Sequence, residues 1–216
     1  MSAKTSTEVI EHRFFQADEM RTLETDGKRI ISGYAAVFDK LSQVIYNFRE
    51  KIQKGAFSES ISAGDVRALW SHNTDFVLGR TKSGTLKLRE DEHGLFFDIE
   101  LPDTQMGRDA HTSIKRGDVS GMSFGFKVIG EHWERGKEAQ PHTRTLTKVE
   151  LFEVSPTAFP AYEQTFVQAR SLADLVKKVE TDWALEDKAT QEKRSSKIDD
   201  MKKVLRFLDL KIPLDS

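Results

Sequence analysis

The sequence predicts an α+β protein: a mostly antiparallel β domain with a few helices, followed by a helical C-terminal tail. Three observations predict it. Short apolar runs recur between glycines from Phe14 to about Phe166. One stretch, Thr104 to Arg116, has helical spacing, a capping candidate at its start and a stop signal at its end. After Arg170 the composition turns to charged helix without glycine. Many short strands at this spacing suggest a β-barrel or a sandwich.

In chain order, residues 1–12 read as a mobile polar lead-in. Arg29 to Phe38 is strand-like, as are Val44 to Ile52, Val66 to His72, Thr85 to Arg89 and Leu95 to Leu101. Gly27, Gly55, Gly64, Gly84 and Gly94 punctuate them, as glycine does where a chain turns. A short helix is expected near Phe57, in GAFSESI. In the stretch from Thr104, Asp103 or Thr104 supplies an N-cap. Met106, Ala110 and Ile114 fall four apart, and Gly117 follows as a stop.

The tail differs in kind. Residues 171–216 carry ten Lys/Arg and ten Asp/Glu. Leu172, Val176, Val179 and Trp183 form one narrow apolar seam. Ile198, Met201, Leu205, Leu208 and Ile212 form another. That spacing suits a helix packing on a helix, either back on its own domain or on another protein. Between the seams, Glu186 to Ser196 has no apolar periodicity and reads as a linker. Pro213 ends the last helix.

Composition excludes several functions. The chain has 216 residues, 38% hydrophobic and 31% charged, with a formal net charge of −2. That balance gives no electrostatic reason to bind nucleic acid. No apolar run is long enough to cross a bilayer. The first eleven residues lack the apolar core of a secretory signal. Cysteine is absent, which suits a cytoplasmic protein and removes thiol chemistry. There is no HExxH, P-loop or GxGxxG, so neither a metal nor a cofactor is expected.

The segment from Val119 to Val128 carries most of the chemistry. Read as a strand, it puts Ser120, Met122, Phe124, Phe126 and Val128 on one face and Val119, Gly121, Ser123, Gly125 and Lys127 on the other. The first face suits a core. The second holds a serine between two glycines, which weaken a strand unless something must approach closely. Gly121 and Gly125 would clear space for another chain beside the Ser123 hydroxyl, so Ser123 rather than Ser120 is the expected exposed nucleophile.

A serine needs a base, usually histidine. Of the six histidines, His12 lies in the mobile lead-in, His93 in a turn and His111 on a helix, while His132 and His142 flank a charged loop. His72 ends an apolar strand before a loop, where a side chain is held firmly yet reaches a cleft. A third group should orient the imidazole. The strand from Lys148 to Ser155 offers Glu150 and Glu153. By alternation Glu153 shares a face with Val149 and Leu151, and Glu150 shares that of Phe152 and Val154, so periodicity leaves both open.

In their order, these residues resemble the prohead proteases of tailed bacteriophages, which are distantly related in fold to herpesvirus assembly proteases. The likeness is carried by ISGYAAVF (Ile31 to Phe38) and KGAF (Lys54 to Phe57). LWSHN (Leu69 to Asn73) follows, then Leu78-Gly79-Arg80, GMSFGF (Gly121 to Phe126) and LFEVSPTAFPA (Leu151 to Ala161). It spans roughly residues 10–165. The resemblance implies a mostly antiparallel β-barrel flanked by helices. It implies a serine endopeptidase with Ser123 as nucleophile, His72 as base and Glu153 as the acidic third member. If a second histidine served instead, as in the herpesvirus enzymes, His142 would be next by order.

By that resemblance, residues 13–168 form the protease domain and residues 169–216 a tail that docks on scaffold or is removed by self-cleavage near Glu186 to Ser196. The substrate would be the major capsid protein or its scaffolding segment, cut inside the immature capsid in the host cytoplasm. A homo-oligomer is left open, and neither nucleic acid nor membrane is expected as a partner. Arg144 is a guess for an assisting arginine. The alternative is a non-catalytic capsid assembly or scaffold protein, and a second rival is a metal-dependent hydrolase using scattered His, Asp and Glu ligands.

Overall fold

The computed structural model describes residues 10–16, 20–137, 140–159 and 166–207. They divide into two compact units, residues 1–169 and residues 170–216. The first holds ten strands in two sheets. The larger sheet contains β1 (Glu11–Gln16), β4 (Phe48–Ile52), β5 (Arg67–Trp70), β6 (Asn73–Arg80), β9 (Gly121–Glu134) and β10 (His142–Thr157). The smaller contains β2 (Arg21–Thr25), β3 (Lys28–Val37), β7 (Leu86–Glu90) and β8 (Gly94–Glu100). The larger sheet runs β1-β9-β10-β5-β6, with β4 also on β10. The smaller runs β2-β3-β8-β7. Most pairs are antiparallel, but β4 and β5 lie parallel to β10. Among the described residues no strand pairing closes the two sheets into a barrel.

One core serves both sheets. On β9, Met122, Phe124 and Phe126 are wholly buried and cluster with Ile31, Phe97 and Ile99 of the smaller sheet. Each such side chain contributes about 1.5–3 kcal/mol on burial. This is the apolar face that alternation assigns to β9, and it leaves Gly121, Ser123 and Gly125 on the opposite face. Phe57 packs edge-on to Phe124 at 5.6 Å just ahead of α1 (Ser58–Ala63).

The helix α2 (Gln105–Arg116) starts where the Thr104 side chain accepts from the Gly107 N–H at 3.2 Å. It ends at Gly117, whose φ of 82° lets the chain turn out of the helix. Ala110 and Ile114 are buried on its inner face.

Three differences from the sequence reading have physical causes. The lead-in ends early, because Glu11 and His12 already belong to β1, and residues 1–9 lie outside the described part. The polar run Asn73-Thr74-Asp75 opens β6, an edge strand whose first residues face solvent and need no apolar pattern. The tail is one helix, α3 (Phe166–Phe207), with no linker at Glu186 to Ser196. That stretch is mostly Glu, Lys, Ala, Gln and Arg, which favour helix whether or not a face is buried. No glycine or proline interrupts the helix. Leu208, Ile212 and Pro213 lie outside the described residues.

Candidate active site

Cross-strand register builds the site. Ser123 pairs with Phe14 of β1 on one side and Ser155 of β10 on the other. Gly125 pairs with His12 and with Glu153 in the same way. Directly opposed residues of antiparallel strands project to the same face. His12, Phe14, Gly121, Ser123, Gly125, Glu153 and Ser155 therefore share the face turned away from the core.

A bulge brings Glu153 to that face. Leu151 pairs with Phe126, but Glu153 pairs with Gly125, so Phe152 is an extra residue on β10. The extra residue reverses the alternation. Leu151 stays on the core side while Glu153 moves to the face of Ser123. Glu150 is on the same face but further along it, exposed opposite Lys127.

His72 arrives from the β5–β6 hairpin. Ser71 and His72 have φ values of 50° and 64°, as the central residues of a type I′ turn require. Asn or Gly normally fills such places, and holding two other residues there costs on the order of 1–2 kcal/mol each. The turn is stitched to β10: Ser71 N–H donates to the Pro156 carbonyl at 3.1 Å and His72 N–H to Ser155 Oγ at 3.2 Å. Ser155 Oγ in turn donates to Glu153 Oε2 at 2.5 Å.

The imidazole is thereby aimed. His72 Nδ1 lies 2.7 Å from Glu153 Oε1. A carboxylate only accepts, so this contact puts the ring proton on Nδ1 and leaves the Nε2 lone pair as the base. His72 Nε2 is buried and, among the described residues, has no hydrogen-bond partner. Gly125 makes room for this arrangement. A Cβ there would lie 2.7 Å from Glu153 Oε1 and 3.1 Å from His12 Nε2.

The structure joins His72 to Glu153 but does not join Ser123 to His72. Ser123 is wholly buried, not exposed, and its Oγ donates to the Arg13 carbonyl at 3.0 Å. The covering element is β1, whose first two residues sequence patterning placed in the lead-in. The Phe14 ring fills the space over Gly121, where a Cβ would meet it at 2.1 Å. The chain for which the two glycines clear space is thus this protein's own.

Two members of the cluster escaped the sequence reading. His12 packs edge-on to His72 with ring centroids 4.6 Å apart, and its Nε2 is 3.7 Å from Glu153 Oε1. Burial, and next the neighbouring His72, hold the His12 imidazole below its ordinary value, with Glu153 pulling the other way. Ser155 was readable only as the residue two after Glu153, on one face of the strand. The ligating atoms of His12, His72 and Glu153 lie within 4.8 Å of one another, so a divalent cation could seat there, although no histidine spacing announces it.

The other candidates are elsewhere. His142 Nδ1 accepts from the Gly136 N–H at 3.0 Å. Arg144 is held in a buried ion cluster, bonded to Glu11, Glu50 and Glu131 at 2.6–3.1 Å. Burial alone would lower its pKa, but Glu50 and Glu11 raise it. An open hollow of about 430 Å³ lies between Gly27, Val77, Arg80 and Asp103 and touches none of the site residues.

The serine between two glycines thus lies on the sheet face that also carries Glu153, the carboxylate bonded to His72. Residues 16–178 match the family model of the caudovirus prohead serine proteases, and the chain belongs to that family. Among solved structures it is similar to the bacteriophage T4 capsid assembly protease. The identity is 9% and the TM-score 0.46, covering 68% of this chain and 98% of that one. No curated protein matches it in sequence.

Proposed function

We propose that this protein matures a phage prohead by hydrolysing peptide bonds of the major capsid protein or its scaffolding segment. Ser123 is the nucleophile, His72 the base and Glu153 the group that orients it. The observation that carries the reading is the 2.7 Å contact from His72 Nδ1 to Glu153 Oε1, made on the sheet face that also carries Ser123.

Ser123 turns from the Arg13 carbonyl and gives its proton to His72 Nε2 as Oγ bonds to the scissile carbonyl carbon. The tetrahedral adduct collapses, the C–N bond breaks, and His72 protonates the leaving amine. Water then enters. His72 takes its proton, the hydroxide attacks the ester, and Ser123 leaves with the proton returned. Glu153 stabilises the imidazolium in both halves. Backbone N–H groups on the oxyanion are worth about 3–4 kcal/mol each.

The domain implied is residues 13–168, with both sheets acting as one barrel around the shared core. The tail, residues 169–216, docks on scaffold helices or is removed. Ile198 and Met201 of its second seam are more than half exposed, as docking requires. Self-cleavage at Glu186 to Ser196 requires that part of α3 to unwind first, because a cut needs extended chain. The setting is the prohead within the host cytoplasm.

The test is co-expression with the capsid protein, wild type beside Ser123→Ala. Shortening of the capsid protein by the wild type alone is expected. Equal shortening by both would move the nucleophile elsewhere. The burial of Ser123 favours one rival, a non-catalytic assembly protein. Under it, Ser123 never reacts with a serine-directed phosphonate in any state of the chain.

A further inference from the structure

Three side chains from separate elements converge beside Gly125. His12 of β1 and Glu153 of β10 both pair with Gly125 in register, and His72 reaches them from the β5–β6 turn. Two imidazole nitrogens face one carboxylate oxygen. His12 Nε2 lies 3.7 Å from Glu153 Oε1, and His72 Nδ1 lies 2.7 Å from the same atom. The ligand atoms of the three residues all fall within 4.8 Å of one another. A zinc ion in tetrahedral geometry, with bonds of about 2.0–2.1 Å, holds its ligand atoms about 3.3 Å apart. The separations to Glu153 Oε1 straddle that value, so side-chain rotation alone can seat an ion.

The surroundings suit a bound cation. A Cβ at position 125 would lie 2.7 Å from Glu153 Oε1 and 3.1 Å from His12 Nε2. Both of its nearest neighbours are thus ligand atoms, and the glycine keeps their meeting point open. Glu153 is anchored from behind, because Ser155 Oγ donates to Oε2 at 2.5 Å and leaves Oε1 to the two imidazoles. Such outer partners fix the aim of a ligating carboxylate. Two imidazole nitrogens and one carboxylate oxygen form a donor set that favours zinc and its transition-metal neighbours. Magnesium and calcium prefer oxygen throughout. Three protein ligands leave the fourth position to water.

We propose that His12, His72 and Glu153 form a zinc site whose occupation reversibly silences the catalytic histidine. This rests on the protease reading of the site. The contact to Glu153 puts the His72 ring proton on Nδ1. Zinc bonds through the Nδ1 lone pair, so the proton passes by way of water to Nε2. A protonated Nε2 cannot accept the Ser123 proton. Zinc also draws Glu153 away from its orienting role, and a dication beside the ring opposes the imidazolium that hydrolysis requires. The neutral ring keeps one proton throughout and no covalent bond is broken, so removing the metal restores the base. His12 has no part in the hydrolytic steps and serves as the third ligand.

The test uses the full chain after dialysis against chelator. Cobalt(II), a spectroscopic stand-in for zinc, should give a visible absorption band that saturates as a one-to-one complex. Zinc should abolish the band, and magnesium in large excess should leave it. Losing even an outer-shell partner of a metal ligand costs about 10–100-fold in affinity. His12→Ala, which removes a ligand outright, should weaken cobalt binding at least about tenfold. His12→Phe keeps a ring against His72 without the nitrogen and should match it, which separates ligation from packing. Zinc should slow Ser123 modification by a serine-directed phosphonate, and shortening of co-purified capsid protein, each at least about tenfold. Chelator should restore both. In the two His12 variants, the ratio of rates without and with the same zinc concentration should fall towards unity.

Equal cobalt binding by wild type and both His12 variants overturns the proposal. So does zinc that displaces cobalt yet leaves cleavage unslowed. Cleavage that requires zinc overturns it as well, and makes the metal catalytic. If cobalt binds as expected while Ser123 neither reacts nor cleaves under any condition, the protease reading fails and the silencing fails with it, while the ligand set stands.

Discussion

Replacing Gly125 by alanine tests how the site is built. The glycine is not at a positive φ, so alanine brings no backbone strain. It should even firm the strand by about 0.5–1 kcal/mol. The new Cβ, however, would lie 2.7 Å from Glu153 Oε1 and 3.2 Å from Glu153 Cγ. Glu153 has little room to yield, because Ser155 holds one oxygen and His72 the other. The carboxylate must leave His72, which loses a charge-assisted hydrogen bond worth about 1.5–3 kcal/mol. The net loss is then about 1–2 kcal/mol. That lowers the melting temperature of a unit this size by about 2–8 °C.

The effect on hydrolysis should be far larger. Without its orienting carboxylate a triad histidine loses tautomer and aim, and rates fall by up to about 10⁴-fold. Thermal melting by circular dichroism and cleavage of co-purified capsid protein measure the two effects separately. Adding Glu153→Asp, one methylene shorter, should recover part of the activity. Cleavage by Gly125→Ala within about threefold of wild type, a change of under 1 kcal/mol in the barrier, would refute the placement of Glu153 against His72.

Other expectations follow from the same contacts. Ser155→Ala frees the His72 turn and one Glu153 oxygen, costing about 1–3 kcal/mol. It should lower kcat with KM held, and an equal rise in KM would argue for a binding role. The Glu11 carboxyl lies below its ordinary value of 4.5: burial raises it, but Arg13 and Arg144 prevail. Its folded pKa is depressed, so its contribution is complete above about pH 4.5 and is lost as pH falls through the folded value. Hydrogen exchange of the β9 amides should therefore accelerate in that window, and Glu11→Gln should abolish the step; an unchanged step in that variant would point to another group. Zinc ions should inhibit hydrolysis by engaging His12, His72 and Glu153, and a chelator should restore it. Loss of activity on adding chelator alone would instead indicate a metal-dependent hydrolase.

Local pattern determined much of this protein. Alternation in Val119 to Val128 separated the core residues Met122, Phe124 and Phe126 from Ser123 and its two glycines, because a strand's own periodicity fixes which side chains share a face. The Thr104 cap and the Gly117 stop bounded α2 for an equally local reason. The order of short motifs was enough to bring Ser123, His72 and Glu153 forward. Tertiary structure decided what depends on partners distant in sequence. Glu153 reaches the face of Ser123 only through one extra residue, Phe152, and a bulge exists only relative to the strand opposite. His12 came into the site through the pairing of β1 with β9, more than a hundred residues apart, which no local period can report. The same pairing buried Ser123, since a hydroxyl on an open face is covered only when another strand takes the edge beside it.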